Sequence, residues 1–107
     1  MFIRLNQDET DQQEKLCLAY SSKQLANRLA EECCELGQAC HKIIRVLEGD
    51  TPVTLEEAMR MINEELGDVI LYADYLEKKG IVDTKSAVES ARKKNHRWYG
   101  RVIGNEW

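Results

Sequence analysis

The sequence predicts an all-α protein built on a long antiparallel helix hairpin with flanking helices. Apolar residues recur at helical spacing along two long stretches, a compact turn sequence separates them, and no segment alternates as a strand pair would. With 107 residues, 43% of them hydrophobic, the chain suits a single domain. A core of that size is small enough for oligomerisation to help bury apolar faces. The abundant, periodic apolar residues argue against disorder.

Residues 1–20 read as a lead-in with a helix over Asp11–Tyr20. From Ser22 the pattern sharpens: Ala26, Leu29, Ala30, Cys33, Leu36, Gly37, Cys40, Ile43, Ile44 and Leu47 follow the i, i+3, i+4, i+7 rule. Ser21 or Ser22 is placed to cap this helix, and Gly49 sits where a C-terminal glycine belongs. Residues 49–53, Gly-Asp-Thr-Pro-Val, are a turn by composition. Thr54 with Glu57 three residues on is a capping box opening the next helix. Its apolar residues are Leu55, Ala58, Met59, Ile62, Leu66, Val69, Ala73 and Leu76, and Lys78-Lys79-Gly80 closes it. Asp83 or Thr84 starts a further helix through Ala87, Val88 and Ala91 towards Asn95. The last ten residues, Trp98–Trp107, are aromatic and glycine-containing and predict no particular element. No repeat, low-complexity tract or interdomain linker interrupts the chain.

No apolar run approaches the length that spans a bilayer, and the N-terminal residues lack a basic-then-apolar signal pattern, so no membrane partner is expected. The four cysteines, Cys17, Cys33, Cys34 and Cys40, have no CxxC spacing, which predicts a reduced, cytoplasmic protein. The net charge of −4 conceals an asymmetry. Lys85, Arg92, Lys93, Lys94, Arg97 and Arg101 against Glu89 and Glu106 make residues 85–107 +4, whereas the remainder, with nine basic and 17 acidic residues, is −8. An acidic body argues against a nucleic-acid polymer as ligand. Together with a basic end, it suits a protein that holds a cation in one place and phosphate in another.

The acids carry the functional signal. Glu65 falls inside the apolar sector of its helix, one turn from Met61, Ile62 and Val69, and Asp68 lies one turn on, beside Tyr72. A carboxylate in a buried stripe is costly unless compensated. On the preceding helix Glu32 flanks the stripe, and Glu35 follows at i+3. Folding the hairpin near Thr51 places both acidic pairs roughly 25 Å from the turn, at about 1.5 Å per residue, level with one another. Four carboxylates there repel unless a cation holds them. An all-oxygen ligand set selects a hard ion, Mg²⁺ with Mn²⁺ as its substitute.

Glu31, Glu56, Glu57 and Glu64 read more simply as a solvated face. Cys33 and Cys40 share the apolar stripe and are expected to be buried small hydrophobes, with Cys34 pointing elsewhere. A Cys/His metal site with His41 lacks the usual spacing. Mid-helix Gly67 costs about 1 kcal/mol relative to alanine, which close helix approach or a nearby ligand would explain. The basic run ending the last helix is by itself a solvated, dipole-favoured helix end. Beside an acidic metal site it becomes an arm suited to polyphosphate, where metal and cationic side chains together neutralise charge during phosphoanhydride cleavage.

The strings Glu31-Glu32-Cys33-Cys34-Glu35 and Glu65-Leu66-Gly67-Asp68 resemble the EExxE and ExxD pair of the MazG-like all-α nucleotide pyrophosphohydrolases. The resemblance covers residues 22–99, the core of a single domain spanning 1–107. It implies Mg²⁺-dependent cleavage of a nucleoside triphosphate between its α and β phosphates, giving monophosphate and pyrophosphate. It also implies a four-helix-bundle-like homo-oligomer, dimer or tetramer, whose active site is lined partly by a neighbouring subunit. By motif position Glu32, Glu35, Glu65 and Asp68 are implied metal ligands, and Glu31, sharing the role with Glu35, the group that orients or deprotonates the attacking water. The segment Asn95-His96-Arg97-Trp98-Tyr99 resembles the nucleotide-contacting stretch of the deoxycytidine-triphosphate branch, which marks Asn95 and Tyr99 as nucleotide contacts and Lys93, Lys94 and Arg97 as phosphate ligands. Gly100 replaces that branch's proline, so base and sugar do not carry over. Nucleotide-pool cleaning is the expected role. The alternatives are a biosynthetic enzyme like the phosphoribosyl-ATP pyrophosphohydrolases, which share the fold class, and a non-catalytic helical adaptor binding metal or nucleotide. A di-iron or di-manganese bundle would need Glu-x-x-His pairs, which the chain lacks.

Overall fold

The computed structural model describes residues 1–104 and contains four α-helices and no strand among them. They are α1 (Gln7–Ala19), α2 (Ser22–Leu47), α3 (Leu55–Lys78) and α4 (Thr84–Val102). The helix α1 starts four residues earlier than Asp11, because Asn6 and Glu9 form a capping box that bonds each other's backbone N–H. Ser21, rather than Ser22, caps α2, with Gln24 completing the box. At α3 only half the expected box forms: Glu57 N–H donates to Thr54 Oγ1 at 3.2 Å.

Both long helices stop at a glycine in the left-handed region, Gly49 at φ 71° and Gly80 at φ 79°. After α2, Asp50 N–H reaches the Arg45 carbonyl and Gly49 N–H that of Val46; after α3, Ile81 and Gly80 repeat the pattern onto Leu76 and Glu77. These are Schellman closures, which use up carbonyls otherwise orphaned at the helix ends. Beyond Gly80, Asp83 caps α4, whose Thr84 N–H and hydroxyl both donate to Glu77. The Thr84 hydroxyl bond leads the contacts that hold the Glu77 carboxyl below the usual carboxylate range. Helix α4 continues seven residues past Asn95, through Gly100, since nothing in 96–102 breaks it. Of the last ten residues, Asn105, Glu106 and Trp107 lie outside the described residues.

Helices α2 and α3 pack on each other, and α1 lies against α3. Leu25, near the start of α2, joins Tyr75 and Leu76, near the end of α3, with Cys17 of α1 in one buried cluster. Leu29, Leu71 and Tyr72 pack onto it. The fully buried Asp74 lies alongside, its carboxylate accepting from the N–H groups of Phe2 at 2.6 Å and Ile3 at 2.8 Å. That bond pair ties the first residues to α3.

The broad apolar sector of α2 divides into two seams. Leu25, Leu29, Leu36, Ala39, Ile43 and Val46 are buried or half-buried, whereas Ala26, Ala30, Cys33, Gly37, Cys40, Ile44 and Leu47 are exposed. The expectation that Cys33 and Cys40 are buried is therefore corrected: α3 covers one seam and these thiols lie on the other, while Cys17 is the buried cysteine. Close helix approach does not explain Gly67 either, since a Cβ built there meets nothing within 4 Å.

Replacing Asp74 with alanine leaves two backbone N–H groups without their charged acceptor. The expected outcome is a loss of roughly 3 kcal/mol in urea unfolding, with faster proteolysis of the first residues.

Candidate metal centre and adjoining cavity

Packing of α2 against α3 brings Glu32, Glu65 and Asp68 together. One carboxylate oxygen from each lies within 4.8 Å of the others, and all three side chains are partly buried. Among the described residues no other group of three acidic, cysteine or histidine side chains converges in this way. Glu35 stands beside the cluster, exposed, and close enough to raise the titration points of Glu32 and Glu65. Glu31 is exposed on α2, and Glu64 is drawn off by an exposed i, i+4 ion pair with Arg60 at 3.2 Å.

The cluster is electrostatically unbalanced. Burial first, then Glu35 and Asp68, push the Glu32 carboxyl up to about 7. Glu65 is raised as well, by burial and then Glu35. The Oε2 atoms of Glu32 and Glu65 are buried and have no hydrogen-bond partner. Such atoms are costly in a folded chain. A divalent cation fits them: it would be ligated by oxygens alone, from residues already converged, and would remove the repulsion.

One helical turn from the acids on each helix, Arg28 and Tyr72 line a cavity of about 200 Å³. Leu16 and Tyr20 of the α1 region, both exposed, and Leu25, Leu71 and Tyr75 complete its lining. Tyr72 and Tyr75 meet edge to face, centroids 5.7 Å apart. Sequence reasoning passed over Leu16, Tyr20 and Arg28, although helical spacing from Glu32 places Arg28 beside the acids.

The residues expected to bind substrate, Lys93, Lys94, Asn95, Arg97 and Tyr99, lie on α4 and are exposed. No residue of α4 is buried, so the helix does not bring them onto the acidic cluster within one chain. Lys93, Lys94 and Arg97 instead share an open groove of about 580 Å³ with Lys85 and Ser86. No helix among the described residues is long and apolar enough to cross a membrane.

Fold and site together define an all-α protein with a candidate hard-cation site between two paired helices. A family model described as the MazG nucleotide pyrophosphohydrolase domain matches residues 20–102, and the chain belongs to that family. Neither the curated proteins nor the solved structures contain a match to it.

The raised carboxyls predict a pH dependence of definite sign. A carboxyl that titrates higher in the folded than in the unfolded chain stabilises the fold when protonated, and that contribution is lost as pH rises through the folded value. In chelator, thermal stability should therefore fall from pH 5 to pH 8. Mg²⁺ or Mn²⁺ should restore more stability at pH 8 than at pH 5, and Glu32→Gln should flatten both trends.

Proposed function

We propose that the chain is a Mg²⁺-dependent nucleoside triphosphate pyrophosphohydrolase, cleaving between the α and β phosphates to release monophosphate and pyrophosphate. The convergence of Glu32, Glu65 and Asp68, with two buried carboxylate oxygens lacking any partner, carries this reading. Glu35 completes the ligand set. Glu32, Glu35, Glu65 and Asp68 would hold the cation, which would supply charge neutralisation for phosphate oxygens and lower the pKa of water so that hydroxide is available to attack phosphorus. Mn²⁺ would substitute for Mg²⁺.

The chain's own residues divide the remaining work. Glu35, exposed beside the cluster, and Glu31, exposed on α2, orient the water and accept its proton. The aromatic cavity one turn away receives the nucleoside, its walls suited to a planar ring. Lys93, Lys94 and Arg97 neutralise phosphate charge, and Asn95 and Tyr99 contact the nucleotide. In this reading they do so from a second copy, in a dimer or tetramer. Several observations support that assembly. Helix α4 buries nothing, yet exposes Val88, Trp98, Tyr99 and Val102. Its basic charge complements the acidic body. The single chain has a radius of gyration of 17.2 Å, against about 13 Å for a compact chain of this length. The single domain, centred on residues 22–99, would serve nucleotide-pool cleaning in the cytoplasm.

Pyrophosphate release from a panel of NTPs and dNTPs tests the reading directly. Release is expected with Mg²⁺, none in EDTA, and none from Glu65→Gln, whose circular dichroism should match the parent. Turnover that survives Glu65→Gln removes the site assignment. Sedimentation should give a multiple of the single-chain mass, and truncation before Lys85 should return the monomer.

A further inference from the structure

Arg28 is a cation in the acidic body of the chain, on α2 one turn before Glu32. No carboxylate among the described residues lies within ion-pair distance of it, and no hydrogen bond from its guanidinium is present there. Its side chain lines the 200 Å³ cavity with Tyr20, Tyr72 and Tyr75. Arg28 is exposed, and a guanidinium presents five donors in a planar fork and no acceptor, which it can offer to whatever fills the cavity. The other walls are leucine and tyrosine, which suit a planar ring rather than a phosphate. The carboxylates one turn away would also repel a phosphate seated there.

We propose that Arg28 is a specificity-determining residue of this cavity, its paired N–H groups reading a nucleobase edge that offers two adjacent acceptors. This rests on the cavity being the nucleoside site of the proposed hydrolase. Two bases have such an edge: cytosine with N3 and O2, and guanine with N7 and O6. Adenine sets an amino group beside N7, and uracil sets N3–H between its two carbonyls. Either base would place a donor against the donors of Arg28, leaving one unpaired on desolvation. Lysine keeps the charge and loses the fork, so it separates edge reading from simple attraction to phosphate.

The test is calorimetric binding of CMP, GMP, AMP and UMP to the full chain and to Arg28→Lys and Arg28→Leu, which needs no turnover. The parent should bind CMP or GMP at least ~10-fold more tightly than AMP and UMP, and the two arms show which edge is read. Both variants, with unchanged circular dichroism, should bind all four monophosphates with similar affinity. A preference that persists in Arg28→Leu overturns the proposal. So does a uniform loss in Arg28→Leu that Arg28→Lys restores, which marks a phosphate contact, and so does a parent that binds none of the four. The proposed activity is judged separately by pyrophosphate release. An inactive chain with Arg28-dependent base preference removes the hydrolase alone, and an active chain without that preference removes the Arg28 assignment alone.

Discussion

The structure turns on one packing interface, between α2 and α3, in which carboxylates occupy positions that apolar side chains would otherwise fill. Leu25 and Ala39 on α2, and Ala58 and Leu76 on α3, are buried as a helix pair requires. Between those levels come Glu32, Glu65 and Asp68. The same contact that supplies core energy therefore forces like charges together, and the fold tolerates them only at a cost in ionisation. Stability and site cannot be separated here, since the α2–α3 packing that buries the core is also what brings the acids together. The Schellman closure after α2 and the Thr54 cap before α3 define where each helix ends and so fix that level.

A second constraint is the shortage of internal partners. Helix α2 carries apolar residues on two adjacent seams, but α3 is a single helix and covers one. Ile44 and Leu47 on α2, with Leu55, Met59 and Leu66 on α3, stay exposed for this reason. Helix α4 shows the same shortage in stronger form. Anchored through Thr84 to Glu77, it leaves the pair without burying a residue. Under the proposed function these open faces and basic side chains have a common context, because phosphoanhydride chemistry needs anion-binding groups that the acidic pair cannot supply.

The cavity beside the acids shows how little sequence separation matters once helices pair. Leu16 and Tyr20 come from the α1 region, Arg28 from α2, and Tyr72 from α3, and only the bundle makes them neighbours. Four of its lining residues, Leu25, Leu71, Tyr72 and Tyr75, belong to or pack on the core cluster, while Leu16, Tyr20 and Arg28 are exposed.

By itself the sequence determined the all-helical class, most helix limits, and three acids that α2 and α3 bring together, because 3.6-residue periodicity, caps and glycine stops are local. Glu65 stood out since its neighbours one turn away in either direction are apolar, and Glu32 lay level with it by simple counting from the turn. The Asn6–Glu9 box was equally legible, although the expected helix began later. What the tertiary structure decided was non-local. Which of two equivalent seams on α2 is buried depends on where α3 lies, so Cys33 and Cys40 emerge on the open side. Asp74 is buried because Phe2 and Ile3 fold back onto it, which no spacing along α3 encodes. Whether the basic residues of α4 meet the acids is set by how that helix leaves α3, and within one chain α4 buries no residue against the pair.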